Sequence, residues 1–579
     1  MKQYYTNERN VQILIGLLKE HGIKKVIASP GSTNVTFVGS IQQDPFFEIY
    51  SCVDERSAAY MACGVAAETN EPVVLSCTGA TASRNYFPAL TEAYYRKLPI
   101  LAVTSTQDAS KVGHLVPQII DRRFQPSDTI KFSTHLQSVK DDDDEWDCVI
   151  KTNRAILELN HHGKGPVHIN LTTNYSSDFS VKDLPSVRKI VRYTLGDKFP
   201  EIPVGKVAIY VGSHLPWSSD VTTFVDMFCE KYNAAVFCEP TSNYHGQYRI
   251  DYELAASQNC QDSNRAVDLL IHIGDMSDMC NVISKAKHVW RISEDGELRD
   301  RWRSLCAVFE MSEESFFKKY CSSTDGFNKN VSYYQSCKTC CDIINESIPD
   351  LPFSHIWVAS VLYDKLPDHS SLHLGILSPL RSWSYFNIPS TIDVYCNQGG
   401  FGIDGNMSSM IGASIVSPKK LFFGVVGDLS FFYDMNILGN RHIGSNIRIL
   451  LVNNGLGVEF HLFKQLNCIY VNEIDQYISA GNHNGHKSPV LVKHFVTDLG
   501  FEYLSASDKD EFNEVYPRFI DPKITEKPIL LEVFTDTDEE NKALYDLWHI
   551  KEDTKGVTKR FIKSVVGKDG VNLLKKIVK

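Results

Sequence analysis

The chain has 579 residues, 43% hydrophobic and 22% charged, with a formal net charge of −11. That is too long for one ordinary hydrophobic core and predicts about three or four domains. The acidic balance argues against a general nucleic-acid binder, the polar start MKQYYTNERN lacks the apolar core of a signal peptide, and no apolar run reaches the about 18 residues of a membrane span.

Short β-branched runs alternate with helical patterns along the chain, the signature of parallel α/β domains. The first block has strands in KKVIASPG, PVVLSCTG, PILAVTST and PVHINL, with helices in NVQILIGLLKEHG and RSAAYMACGVAAET. An acidic run at 141–145 predicts a solvated helix start. The second block begins near Val204, with strands KVAIYVG, AAVFCEP, LLIHIGD and HVWRIS. The third begins near Phe353, with SLHLGIL, TIDVYCN, LFFGVVGD, IRILLVNN and PILLEVF. Polar stretches at 176–203 and 322–352 are the expected linkers. The expected domains are therefore 1–185, 186–345 and 346–545, followed by a basic tail at 546–579 that reads as a docked or frayed helix, with contact to an anionic membrane or a partner as the alternative. The fifteen cysteines are scattered, and several sit in apolar runs (Cys77, Cys238), which predicts reduced buried thiols in a cytoplasmic protein. The one dense group, Cys337, Cys340 and Cys341, has no second ligand cluster near it in sequence, and no metal is expected there.

The most specific signal is Gly427-Asp428-Leu429-Ser430 at the end of one apolar strand and Asn453-Asn454 at the end of another, with Asp428 and Asn454 26 positions apart. Ligands of doubly wound sheets sit outside the carboxyl ends of strands, so both elements point at one crevice. Mg²⁺ prefers hard oxygen ligands in an octahedron. The Asp428 carboxylate, the Asn454 amide oxygen and the Leu456 carbonyl would supply three, and a diphosphate could supply more. Gly427 and Gly455 let backbone come close, and a helix after Ser430 would turn N–H groups toward phosphate. Alone, each element reads as a turn. Glu55, in Asp54-Glu55-Arg56-Ser57-Ala58-Ala59, reads by itself as an acid favoured at a helix N-terminus.

Taken together, further runs carry a resemblance. Ser29-Pro30-Gly31-Ser32, the Glu55 run, Cys77-Thr78-Gly79-Ala80-Thr81-Ala82, Gln118 with Asp121, Gly165-Pro166-Val167-His168-Ile169-Asn170, Asn397-Gln398-Gly399 and Gly402-Ile403-Asp404-Gly405 occur in order. With Gly427-Asp428 and Asn453-Asn454 they resemble the 2-succinyl-5-enolpyruvyl-6-hydroxy-3-cyclohexene-1-carboxylate synthase family of thiamine-diphosphate enzymes, over about residues 5–545. The resemblance is strong in the first and third blocks and weak in the second. It implies three doubly wound parallel-sheet α/β domains: pyrimidine-binding, central and diphosphate-binding. It implies thiamine diphosphate and Mg²⁺ as cofactors, and a homodimer or homotetramer whose sites join Glu55 of one subunit to Asp428 and Asn454 of another. Glu55 would face the aminopyrimidine ring and promote deprotonation of the cofactor. Gln118 would reach the cofactor and its adducts, and Ile403, beside Gly402, would hold it bent. The reaction implied removes CO₂ from a 2-oxo acid and passes the remnant to an acceptor or protonates it.

The departures fall on substrate positions. Thr33, Gln107 and Gln398 stand where the family carries arginines that hold carboxylates, and only Arg381 is retained. Neither threonine nor glutamine can replace a bidentate guanidinium fork. Glu459 and His461 put titratable groups where the family lines its acceptor site, and His114 lies four positions before Gln118. The expectation is a decarboxylating carboligase with an acceptor other than isochorismate. The alternatives are a decarboxylase releasing an aldehyde, or a true menaquinone-pathway synthase.

Overall fold

A computed structural model describes residues 4–258, 260, 262–322, 330–462 and 477–551. The basic tail from 552 onward lies outside the described residues. The chain divides into two compact units, residues 1–198 with 294–310, and residues 199–293 with 311–579. Residues 186–198 group with the first unit, where Asn153 donates to Arg188 O and accepts from Ile190 N–H and Arg192 pairs with Glu158.

The first unit is built on a six-stranded parallel sheet. Its spatial order is Glu48–Ser51, Lys25–Ala28, Val73–Thr78, Ile100–Thr106, Val167–Thr172 and Phe132–Leu136. Numbered by appearance, that is 2-1-3-4-6-5. The inner strands are buried along nearly their whole length, as VVLSCT and ILAVTST require when helices cover both faces of a parallel sheet. Helix Arg9–Glu20 packs Val11, Leu14, Leu17 and Leu18 into one core, and helix Glu55–Thr69 packs Ala58, Ala59, Ala62 and Ala66 into another. Alanines let that helix approach the sheet closely. Residues 141–145 form the helix start expected of them, Asp141 capping helix Asp142–Glu158 by accepting from the N–H groups of Asp143 and Asp144.

In the second unit, five parallel strands run in the order Arg249–Asp251, Ala234–Cys238, Val207–Val211, Ala266–Ile273 and Lys285–Ile292. A further six-stranded parallel sheet runs Asp393–Tyr395, Ser371–Leu374, Phe422–Gly427, Ile447–Asn453, Ile529–Phe534 and Glu502–Ala506, again 2-1-3-4-6-5. Its edge strand is held by Asn243, whose side chain accepts from Val394 N–H at 2.8 Å and donates to Val394 O at 2.9 Å. The last described helix, Thr537–Trp548, runs past the expected boundary at 545. The described cysteines are free thiols, and burial pushes those of Cys77 and Cys238 up to about 12. No described helix is long and apolar enough to cross a membrane.

Candidate active site

At the carboxyl edge of the last sheet, strands Phe422–Gly427 and Ile447–Asn453 are parallel neighbours, with Gly427 opposite Val452. This register brings the two sequence motifs together. The Asp428 carboxylate is 5% exposed and accepts from Gly455 N–H and Leu429 N–H, each at 2.7 Å. Burial pushes its pKa up to about 6, against the lowering by those N–H donors. Asn454 is also buried, its side-chain oxygen accepting from Leu456 N–H at 3.3 Å. Gly455 has φ +79°, and a Cβ there would lie 3.0 Å from His486 and Lys487 atoms, so the close approach expected of this glycine is a backbone requirement. The Leu456 carbonyl accepts from Val458 N–H at 3.0 Å and keeps a second lone pair.

The helix here differs from expectation. It runs Asp428–Asp434, so Asp428 and Ser430 are its first turn rather than its approach. The Ser430 hydroxyl donates to Ile403 O at 2.7 Å and accepts from Asn406 at 2.9 Å, which ties the Gly402-Ile403 turn to the strand end. A buried carboxylate and a buried amide oxygen on adjacent strand ends, with a carbonyl beside them, are a hard-oxygen donor set that fits Mg²⁺.

The second cluster gathers around Arg381, in helix Ser378–Trp383. Its Nε donates to Asp278 Oδ2 at 2.6 Å, and its Nη1 pairs with Glu459. Gln398 is 2% exposed. Its amide donates to Glu239 Oε1 at 2.8 Å and Thr241 Oγ1 at 2.9 Å, and its oxygen accepts from Asp278 N–H at 3.2 Å. Burial raises the Glu239 carboxyl, and Ser277 and Thr241 also donate to it. Glu253, whose electrostatic neighbours include Asp278 and Arg381, is pushed up to about 7 by burial. Glu459 and His461 lie together in the short helix Val458–His461. Sequence reading missed Asp278, Glu239 and Glu253. Glu239 directly follows the apolar strand Ala234–Cys238, and Asp278 lies in the turn after the apolar strand Ala266–Ile273; that position was the available signal.

In the first unit, Glu55 opens helix Glu55–Thr69, and Asp54 caps it by accepting from Ser57 N–H at 2.7 Å. Around it the strand ends carry the other expected residues. Thr33 is buried and donates to Ser105 O at 2.9 Å, and Gln107 donates to the Tyr175 hydroxyl at 3.0 Å. Gln118 is exposed with φ +65°, and its carbonyl lies 3.2 Å from where a Cβ on Gly79 would stand. His114 is exposed on the same loop. Arg122, which sequence reading also missed, is 1% exposed and donates to Asn170 Oδ1 at 2.6 Å.

The N-terminal thiamine-pyrophosphate-binding domain of thiamine pyrophosphate enzymes matches residues 9–125, which makes the chain a thiamine-diphosphate enzyme by class. Over 94% of its length it is 33% identical to a 2-succinyl-5-enolpyruvyl-6-hydroxy-3-cyclohexene-1-carboxylate synthase of Bacteroides thetaiotaomicron, covering 99% of that protein. Enzymes of the same name from Bacteroides fragilis and Flavobacterium psychrophilum are 32% and 29% identical, over 94% and 91% of this chain and 99% and 96% of theirs. The chain belongs to the 2-succinyl-5-enolpyruvyl-6-hydroxy-3-cyclohexene-1-carboxylate synthase family.

Proposed function

We propose that the protein is a Mg²⁺-dependent decarboxylating carboligase that transfers the remnant of a 2-oxo acid to an acceptor other than isochorismate. The observation that carries this reading is the charge around Arg381. Two carboxylates, Asp278 and Glu459, already pair with the one retained arginine. A substrate carboxylate would have to displace them. Thr33, Gln107 and Gln398 bring no cation of their own, and their hydrogen-bonding groups are engaged within the protein, those of Gln107 by the Tyr175 hydroxyl and the Lys111 ammonium. A charge-assisted carboxylate contact contributes about 1.5–3 kcal/mol, so losing even one weakens a dianionic or trianionic ligand by about tenfold or more. The relatives' name, a synthase, favours carbon transfer over release of an aldehyde.

In this reading Asp428, Asn454 and the Leu456 carbonyl hold Mg²⁺. Gly427, Ser430, Gly402, Ile403 and Gly455 line the cofactor, Glu55 faces its aminopyrimidine and Gln118 its adducts. Thiamine diphosphate, when bound, supplies the carbanion chemistry that no side chain has. Arg381 orients the donor, and Glu459, His461 and His114 serve the acceptor end. The working form is a homodimer or homotetramer in the cytoplasm. The apolar side chains flanking Glu55 support an oligomer, with Val53 78% and Tyr60 47% exposed in the single chain.

The test measures CO₂ release and product formation from a panel of 2-oxo acids, with and without aldehyde and ketone acceptors, isochorismate included. The expected result is turnover that rises with an acceptor other than isochorismate. Efficient, selective use of 2-oxoglutarate with isochorismate would overturn it.

A further inference from the structure

We infer that His161, His162 and Glu310 form a binding site for a zinc-type cation in the first compact unit, separate from the residues assigned to the cofactor. After helix Asp142–Glu158 the chain turns through two histidines and Gly163. Lys131 fastens this turn, its ammonium donating to the carbonyls of Glu158 at 3.3 Å, Gly163 at 2.5 Å and His161. His162 takes φ +44°. The two imidazoles stack with centroids 3.8 Å apart, and both present Nε2 to one carboxylate. His161 Nε2 lies 3.1 Å from Glu310 Oε2, and His162 Nε2 lies 2.9 Å from Glu310 Oε1.

The other nitrogen of His161 decides what the site wants. Its Nδ1 lies 3.0 Å from both oxygens of Glu158. Donation of Nδ1–H to that carboxylate leaves a lone pair on Nε2, aimed at Glu310, which bears only lone pairs as well. Such a pair needs a positive charge between its members, either a second proton on the ring or a metal ion. The three donor atoms lie within 4.8 Å of one another, a spacing that small rotamer adjustments bring around one ion at about 2.0–2.2 Å from each. Two imidazoles and a carboxylate suit zinc, whereas Mg²⁺ and Ca²⁺ take oxygen ligands. Glu158 is the outer carboxylate that orients a ligating histidine.

Charge and access agree. Arg192 is a competing cation, 3.0 Å from Glu158 and 3.8 Å from Glu310. Arg192 and the Lys131 ammonium stand against three carboxylates, Glu158, Glu310 and Asp197 of the same cleft, which leaves a negative balance for a divalent ion. A cleft of about 500 Å³, lined also by His21, Asn160 and Asp197, lets water reach a fourth position. Glu310 N–H donates to Tyr193 O at 2.9 Å. The ion would therefore clamp the returning segment 294–310 to the turn after Glu158, a closure that nearby sequence does not provide.

The test uses the full chain, stripped with chelator and resupplied with excess Mg²⁺ and thiamine diphosphate. Zn²⁺ is titrated by calorimetry near neutral pH, and Co²⁺ by visible absorption. One ion per chain is expected, with a zinc-dependent rise in melting temperature. His162→Ala, which removes a largely exposed ring, and Glu310→Gln should each weaken binding about tenfold or more, while Asp428→Asn should leave it intact. Should Glu310→Gln fail to fold, His162→Ala decides. Equal zinc uptake by wild type and His162→Ala, loss of uptake in Asp428→Asn, or no uptake by wild type overturns the site in favour of a plain imidazolium–carboxylate cluster.

Discussion

The first and last sheets thread their six strands in the same order, 2-1-3-4-6-5, yet their carboxyl edges are chemically unlike. The first edge presents Glu55 in the opening turn of a helix, with polar residues on the neighbouring strand ends. The last edge buries Asp428 against two N–H donors and raises its pKa to about 6. One topology thus offers crevices at equivalent positions, and the residues at the strand ends decide whether a crevice suits proton chemistry or a cation. In the proposed reading the division of labour lies in a few turn residues, since the strands of both sheets are near-continuous apolar runs.

If the labour is divided in this way, substitutions at the two edges should dissociate. The largest expected effect is Glu55→Gln, which should slow hydrogen–deuterium exchange at cofactor C2 by about 10²–10⁴-fold while cofactor affinity stays within a few-fold. An unchanged exchange rate would remove Glu55 from the proton chemistry. Asp428→Asn should do the reverse. Calorimetry should find Mg²⁺-dependent cofactor affinity about tenfold weaker or worse, with normal exchange in the cofactor that does bind.

The raised pKa of Asp428 adds a stability test with a definite sign. The folded protein holds this proton where the unfolded chain has released it, so metal-free stability falls as pH rises from the usual carboxylate range through about 6. Near neutral pH, Asp428→Asn should relieve up to about 3 kcal/mol of that burial cost in the metal-free protein for a shift of about two units, offset by about 1–3 kcal/mol because the amide has one acceptor oxygen for two N–H groups that now meet separate carboxylate oxygens. Mg²⁺ should bind more weakly as pH drops through about 6, because it must displace that proton. A metal-free stability of the wild type, relative to Asp428→Asn, that does not fall as pH rises toward about 6 in urea titration would mean that burial does not control this carboxylate.

Smaller effects sharpen the contrast. Gln398→Ala should cost about 1–3 kcal/mol in urea unfolding, because Asp278 N–H loses its acceptor and the buried Glu239 loses a donor. A change within error would show that water replaces the amide. Asp54→Ala should cost about 1 kcal/mol of thermal stability through the lost cap, without changing Mg²⁺ affinity at the other edge.

Much of this was legible in the chain. The apolar runs mark the strands because a sheet covered on both faces buries nearly every side chain. Glu55 was legible as a helix opener, and Asp428 and Asn454 as strand ends, since local patterning places all three. Other features had no local signal. The helix start at Asp428 depends on how that strand end meets Gly455. Arg381 meets Asp278 and Glu459 across 103 and 78 residues and Gln398 meets Glu239 across 159, and the return of 294–310 to the first unit rests on the Trp146–Asp300 and Arg154–Glu297 contacts, across 154 and 143 residues.

The sequence by itself determined parallel α/β domains, because periodicity is encoded by neighbours along the chain, and its resemblance to a known family implied the cofactor class and the positions at which arginines are missing. Only the tertiary structure decided that Arg381 is already paired with Asp278 and Glu459, that Gln398 is buried on Glu239, and that two adjacent histidines meet Glu310. Charge balance and desolvation depend on what surrounds a group in space, and residues distant in sequence supply those surroundings.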